Sequence, residues 1–378
     1  MGEGLRGANA VNVTRVKTIY NYKNKEVLVT GGLGFLGSNL TIRLVDLGAR
    51  VTVVDSLVAG CGGNLYNLAS VRGRVRVVRS DIGTERRIRE LLAGTETVFN
   101  LAGEISHTHS MRFPKRDAEL NAVSQLAFLE QCATTVPEVR VVYAGTRQIY
   151  GVPQYLPVDE KHPIQPVDFN GIHNYSAVMY HLLYSRYHKI DAVVLNFTNL
   201  YGPRIALSVP CQGFLGNFIR KLVTGRPVEV FGDGLQLRDP LYVDDAVEAL
   251  LVAGAAPALP STMYNVGGPE ALELRTIAEV MSRIAGVGPP ALRPFPSHQK
   301  EIDIGSYVTD GTRIERELGW APVTSFESGV TSTFEFFRAE LRHYLNAAEQ
   351  EPRCKIDRPA VKNRAVQAKA GVSAGSAL

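Results

Sequence analysis

No stretch of this chain approaches the roughly 18 consecutive apolar residues that a membrane-spanning helix needs. Its first 25 residues carry charges but no apolar run, so they do not read as a secretory signal. Cysteine is scarce: Cys61, Cys132, Cys211 and Cys354 stand far apart and form no CxxC pair. That spacing suggests neither a disulfide framework nor a zinc site, and no metal is expected. A basic binding face is missing as well. The formal charge is +4, but residues 1–25 carry a net +4 and residues 349–378 a net +3, which leaves −3 for the remainder. The basic character belongs to the two ends, so neither nucleic acid nor a membrane is expected as partner. A cytoplasmic location is expected. Residues 1–25 read as a flexible tail. Residues 346–378 lack large apolar side chains near their end and read as disordered.

What remains is ordinary globular composition, 45% apolar and 21% charged over 378 residues, enough for a large domain with a second lobe. From residue 26 strands alternate with helices. Strands are expected at 26–30, 49–55, 74–81, 97–103, 139–146 and 191–199, and helices at 38–47, 84–94, 117–133 and 171–188. The second strand, ARVTVVD, is nearly all apolar, as a strand buried on both faces should be. This rhythm implies an α/β fold, a doubly wound parallel sheet with right-handed crossovers over residues 26–200. After Tyr201 the rhythm changes. Helices at 216–225 and 275–286 and short strands at 227–231 and 262–268 suggest a smaller mixed lobe over 201–345, with residues 239–256 packing back on the main sheet.

The first strand runs into Gly31-Gly32-Leu33-Gly34-Phe35-Leu36-Gly37 and then a helix. Glycines there permit a tight turn and let backbone N–H groups approach a pyrophosphate, which the positive end of the helix dipole also attracts. Asp55 ends the second strand, followed by Ser56. A carboxylate at that point accepts hydrogen bonds from ribose hydroxyls and repels a 2′-phosphate, so NAD is favoured over NADP. A loop or helix-capping role is the alternative for Asp55. Asp81 and Ile82, after the third strand, are candidates to meet the adenine, and Asp81 could equally cap the next helix.

These residues, with others in order, carry a resemblance. The chain resembles the extended short-chain dehydrogenase/reductase family acting on nucleotide-sugars. The matches are Gly31, Gly34, Gly37 and Asp55; Asp81-Ile82; Asn100-Leu101-Ala102-Gly103; Thr146 to Gly151; Asn199 to Arg204; Gly232 to Asp245; and the ELGW segment at 317–320. The resemblance spans roughly residues 26–345. It implies that Leu101, Ala102 and Gly103 border the cofactor and that Thr146 hydrogen-bonds the reacting hydroxyl. It implies that Asn199 and Arg238 hold a nucleotide diphosphate, for which a planar guanidinium fork is suited. A plain ion pair with Asp239 or Asp244 is the alternative for Arg238. Lys300 is a further basic candidate. Family members commonly dimerise through the helices that correspond to residues 117–133 and 171–188, so a homodimer is expected.

The family's central device departs here. Tyr-x-x-x-Lys, whose Tyr takes a proton while Lys holds the nicotinamide ribose, falls on Asn170-x-x-x-Asn174 when counted from Tyr150-Gly151 and from Tyr201-Gly202. Tyr175 is out of register. A carboxamide donates and accepts hydrogen bonds but is no base near neutral pH. His173, three residues from Asn170 on one helix face, is the first candidate to replace it. Glu104 and His107, following the fourth strand, are further candidates, and a structural hydrogen-bonding role is open for each; for His109 that role is preferred. The family's 4,6-dehydratases place Asp-Glu after the Thr, whereas Arg147-Gln148 stand here, which disfavours that reaction. Arg147 is suited to a sugar carboxylate, which leaves uronates open. The expected function is an NAD-dependent nucleotide-sugar enzyme, first an epimerase, with decarboxylase, dehydratase or oxidoreductase as alternatives. A non-catalytic NAD- or sugar-nucleotide-binding protein is the reading of another class.

Overall fold

A computed structural model describes residues 20–188, 190–209, 213–295 and 303–345. Strands β1 (Glu26–Thr30), β2 (Arg50–Asp55), β3 (Arg76–Arg79), β4 (Thr97–Asn100), β5 (Arg140–Thr146) and β6 (Asp191–Phe197) are all parallel. Helices α1 (Phe35–Asp46), α2 (Glu85–Leu92), α3 (His107–Arg112), α4 (Pro114–Ala118), α5 (Ser124–Thr135) and α6 (Phe169–Tyr187) connect them. A π-helical turn, Glu119–Val123, joins α4 to α5.

Alternation explains both layers. Along β1, Val27 and Val29 face a core shared with Leu40 and Leu44 of α1, while Leu28 faces a second core with Ile88 of α2 and Phe128 and Leu129 of α5. Successive strand side chains point to opposite faces, so each strand must be apolar throughout to bury both.

Beyond β6 the chain forms β7 (Leu200–Tyr201), α7 (Gly213–Val223), β8 (Glu229–Phe231), β9 (Leu237–Arg238), β10 (Leu241–Tyr242) and α8 (Val243–Ala255). Then come β11 (Met263–Val266), β12 (Leu272–Glu273), α9 (Leu274–Ala285), β13 (Ala291–Arg293), α10 (Thr312–Leu318) and α11 (Phe326–Glu340). The lobe core gathers α7, α9 and α11 around Phe218, Ile277 and Phe334. α8 packs on the sheet through Val247, Leu250 and Leu251.

Three expectations are corrected. The strand at 262–268 is not a lobe element: β11 pairs in parallel with β6 and makes a seventh strand, in the order β11-β6-β5-β4-β1-β2-β3. Ile314, Leu318 and Trp320 follow it into the main core, so the division at residue 200 does not describe how the chain packs. A long-range pairing decides this, and local composition does not register it. Second, the tail boundary at residue 25 lies too far into the chain: Tyr22 is 3% exposed, and its hydroxyl donates to Leu251 O at 2.8 Å. Third, α1 begins at Phe35, three residues before the expected start, and Gly37 lies inside it. The rest of the expected tails, residues 1–19 and 346–378, lie outside the described residues.

Strand order reverses between β1 and β4. Ligands of open α/β sheets bind at such a point, beyond the carboxyl ends of the strands. No described helix is long and apolar enough to cross a membrane.

Candidate active site

The glycine loop closes over the β1–β4 junction. Gly31 has φ +66°, and a Cβ there would stand 2.6 Å from Leu101 O. A Cβ on Gly37 would stand 2.2 Å from Gly31 O. Both positions therefore exclude every side chain, and loop and helix meet backbone to backbone. α1 has no side-chain cap and no acidic residue in its first turn, so the amides of Phe35, Leu36 and Gly37 remain at its positive end. The half-buried side chains of Phe35 and Leu36 pack against the lobe core and the main core respectively.

Asp55 closes the far side. Its carboxylate accepts from Leu33 N at 3.0 Å and Leu57 N at 2.9 Å, which fixes its orientation and leaves each oxygen a lone pair. Gly31, Gly34, Asp55, Ser56, Asp81, Ile82, Leu101, Ala102 and Gly103 line one open cleft. Asp81 does not cap α2: its Oδ1 accepts from Gly83 N at 2.7 Å, and Thr84 holds the cap position. Cleft residues missed in the sequence are Val58, Cys61, Gly63, Ser80, Leu120 and Ser124. They come mostly from the loop after β2 and from the π-helical turn, where no periodic signal marks them. Burial pushes the Cys61 thiol up to about 11, so it is a neutral wall residue. Bare backbone amides, a close approach that only glycine permits and a carboxylate on the cleft wall together fit NAD.

Deeper along the strand ends lies a dense polar network. Asn170 Nδ2 donates to Glu104 O at 2.7 Å and to Asp117 Oδ2 at 2.9 Å. Asn174 Nδ2 donates to Asn170 O at 2.9 Å, while its Oδ1 accepts from the Tyr143 hydroxyl at 3.3 Å. Both amides at the Tyr and Lys positions are thus spent on protein partners. His173 Nδ1 pairs with Asp117 Oδ1 at 2.7 Å, so His173 and Asn170 share one buried carboxylate. His109 Nδ1 pairs with Glu104 Oε1 at 2.6 Å. Tyr175 packs against the apolar clusters of Val178 and Tyr150.

A second constellation joins His107, a candidate from the sequence, to Asp168 and Gln148, which were not candidates. His107 Nδ1 hydrogen-bonds Asp168 Oδ2, and its Nε2 lies 2.6 Å from Gln148 Nε2. Thr146 Oγ1 accepts from Gln148 N at 3.2 Å. Asp168 is 4% exposed and also caps α6, accepting from Gly171 N at 2.7 Å. Burial drives its carboxyl upward, but the His107 and Gly171 hydrogen bonds outweigh that and hold it below the usual range. The separation of residues 107, 148 and 168 in the sequence hid the constellation.

Arg147 is 9% exposed, with its guanidinium 4.8 Å over the Tyr307 ring. Arg238 donates to Leu237 O at 2.7 Å and lies 3.8 Å from Asp303, not paired with Asp239 or Asp244. Burial lowers its guanidinium to about 10. Asn199 Oδ1, Glu104 Oε2 and Gln148 Oε1 are buried without a hydrogen-bond partner among the described residues. Lys300 lies outside the described residues. Among the described residues no group of three His, Cys, Asp or Glu could hold a metal ion.

Comparison with known proteins agrees with this geometry. Residues 27–267 match the NAD dependent epimerase/dehydratase family. The chain is 33% identical over 316 residues to a UDP-glucose 4-epimerase of Mycolicibacterium smegmatis, covering 82% of this chain and 98% of that protein. It is 32% identical over 324 residues to a dTDP-glucose 4,6-dehydratase of an Actinoplanes species, covering 83% and 98%. Among solved structures, the UDP-glucose 4-epimerase of Thermotoga maritima with UDP-glucose superposes with TM-score 0.76 at 30% identity, covering 84% of this chain and 99% of that one. The UDP-glucose 4-epimerase of Thermus thermophilus in complex with NAD gives 0.72 at 30% identity, covering 83% and 99%. By its fold, its cofactor cleft and these matches, the chain belongs to the NAD-dependent epimerase/dehydratase family.

Proposed function

We propose that the enzyme is an epimerase that inverts a ring carbon of a nucleotide-diphosphate sugar by reversible oxidation of its hydroxyl. The observation that carries this reading is the set of buried acceptors Glu104 Oε2, Gln148 Oε1 and Asn199 Oδ1, which have no hydrogen-bond partner among the described residues. A sugar is rich in hydroxyl donors, and a buried acceptor without a donor is costly, so a polyhydroxylated ligand meets the need.

NAD, when bound, accepts the hydrogen that leaves carbon with its electron pair. The chain's task is the accompanying proton. Asp168 fixes the Nδ1–H tautomer of His107, so Nε2 is the basic nitrogen; it accepts from Gln148 Nε2 at 2.6 Å, the sugar hydroxyl takes that donor's place in turnover, and the buried carboxylate stabilises the imidazolium that forms. Thr146 orients the hydroxyl. The proton goes to His107 rather than to His173 or Glu104, whose pairs with Asp117 and His109 tie α6 to α4 and the loop after β4 to α3. Asn170 and Asn174 are positioning residues. Asn199 and Arg238 bind the diphosphate. Arg147 and Gln148 occupy the places where an eliminating enzyme needs an acid and a base, which favours epimerisation over dehydration.

The exposed apolar side chains of Val123, Leu126, Ile172, Met179, Leu183 and Tyr187 on and beside α5 and α6 favour a homodimer through that face. The unpaired Cys61 and Cys132 suit the cytoplasm. The test is incubation with UDP-, GDP- and dTDP-sugars, following NADH absorbance and product stereochemistry. Interconversion that His107→Gln abolishes and His173→Gln spares supports the assignment. Neither NADH nor product with any sugar would leave a binding protein without catalysis.

A further inference from the structure

The Arg147 guanidinium is a cation without an acid. It has five N–H donors, yet among the described residues it makes no hydrogen bond or ion pair, and its guanidinium lies 4.8 Å over the Tyr307 ring. Three carboxylates lie around it, and each is engaged elsewhere. Asp168 binds His107. Asp239 accepts from the Thr198 hydroxyl at 2.6 Å and from Thr309 N at 3.0 Å. Asp303 stands 3.8 Å from Arg238. Arg147 and Arg238 repel one another across the same interior. Burial outweighs the attraction of those three carboxylates and lowers the guanidinium's pKa; a buried cation with no acid bonded to it is destabilising, and an anion arriving from outside would relieve that.

Which anion follows from place. On the reading above Arg238 and Asn199 take the diphosphate, whereas Arg147 stands in the chain between Thr146 and its bonded partner, Gln148. It follows Thr146 directly in the chain and is close enough to Arg238 for the two charges to act on one another, so on the nucleotide-sugar reading the group it meets lies between the reacting hydroxyl and the diphosphate. The part of a nucleotide-sugar between those points is the sugar ring with its substituents. A planar guanidinium fork there matches a carboxylate in bidentate fashion.

We propose that Arg147 is the specificity determinant for a carboxylate carried on the sugar, and hence that the substrate is a nucleotide-diphosphate uronate. This rests on the nucleotide-sugar reading above.

The test uses the full chain loaded with NAD. Binding is measured for UDP, GDP and dTDP alone, each with its neutral hexose and with the corresponding uronate, in the parent and in Arg147→Gln and Arg147→Met. The parent is expected to bind the uronate at least about tenfold tighter than the hexose with its preferred nucleotide, the weight of one charge-assisted pair. Both variants should lose that preference while keeping the affinity for the nucleoside diphosphate. Without ligand, Arg147→Met should melt no lower than the parent, because it removes a buried charge that has no partner. Equal affinity of the parent for uronate and hexose overturns the proposal. So does a matching loss of nucleoside-diphosphate affinity in both variants, which would give the guanidinium to the phosphates. Failure of every nucleotide and every sugar to bind would sink the nucleotide-sugar reading itself, a distinguishable result.

Discussion

Replacing Gly37 by Ala adds one methyl group where no methyl group fits. The new Cβ would lie 2.2 Å from Gly31 O, 2.8 Å from Gly32 Cα and 2.9 Å from Gly31 C. Ordinary contacts begin near 3.4 Å, so helix α1 and the glycine loop must part by about 1 Å. All three obstacles are backbone, and none can rotate aside. Overpacking of this kind costs about 1–3 kcal/mol of stability. The effect on the cofactor should be larger than on the fold, because the displaced amides are those that face the pyrophosphate. A 1 Å misplacement of aligned groups weakens function roughly 100-fold. A graded series makes the reasoning sharper. Gly31→Ala combines a left-handed φ of +66° with a 2.6 Å approach to Leu101 O and should be as damaging. Gly34→Ala meets only Gly31 O at 3.2 Å and should be mild. Gly288→Ala meets nothing within 4 Å and should be neutral within about 0.5 kcal/mol. NADH fluorescence titration together with urea denaturation reads both quantities. A Gly37→Ala protein with parental NADH affinity and parental stability would refute the backbone-cradle account.

Asp55→Asn should weaken NAD about tenfold, the worth of a charge-assisted hydrogen bond, and narrow the discrimination against NADP; comparative titration of the two dinucleotides checks it. His181 is wholly buried, bonded to Asn100 Nδ2 and Ala177 O, and burial lowers its imidazole from 6.5 to about 4. Because this folded-state value lies below the unfolded one, the fold keeps the full benefit above pH 6.5 and loses it as pH falls toward 4. At roughly 1.4 kcal/mol per unit the loss reaches about 3 kcal/mol. Urea denaturation near pH 7 and near pH 4 should show a drop that His181→Phe diminishes, and equal drops would contradict it. Ile172→Asp, on the apolar face of α6, should halve the mass seen by light scattering, and a parental protein that is already monomeric would refute the dimer.

The parallel sheet, the glycine loop and the acidic end of β2 were legible in the sequence because they are local. A strand buried on both faces must be apolar throughout, and a backbone that touches a phosphate must shed its side chains. The loss of Tyr and Lys at 170 and 174 could be read by counting between anchors. What those two asparagines do could not, since their partners Glu104, Asp117 and Tyr143 come from other elements. The same holds for β11, whose place in the main sheet depends on β6, nearly seventy residues earlier. It holds for the His107–Asp168 pair beside Gln148, assembled from the ends of three elements. Local chemistry therefore determined the cofactor and the architecture. Long-range packing alone decided which histidine pairs with Asp168 and Gln148, and which buried arginine was left without a hydrogen bond among the described residues, because burial and pairing are properties of the folded chain.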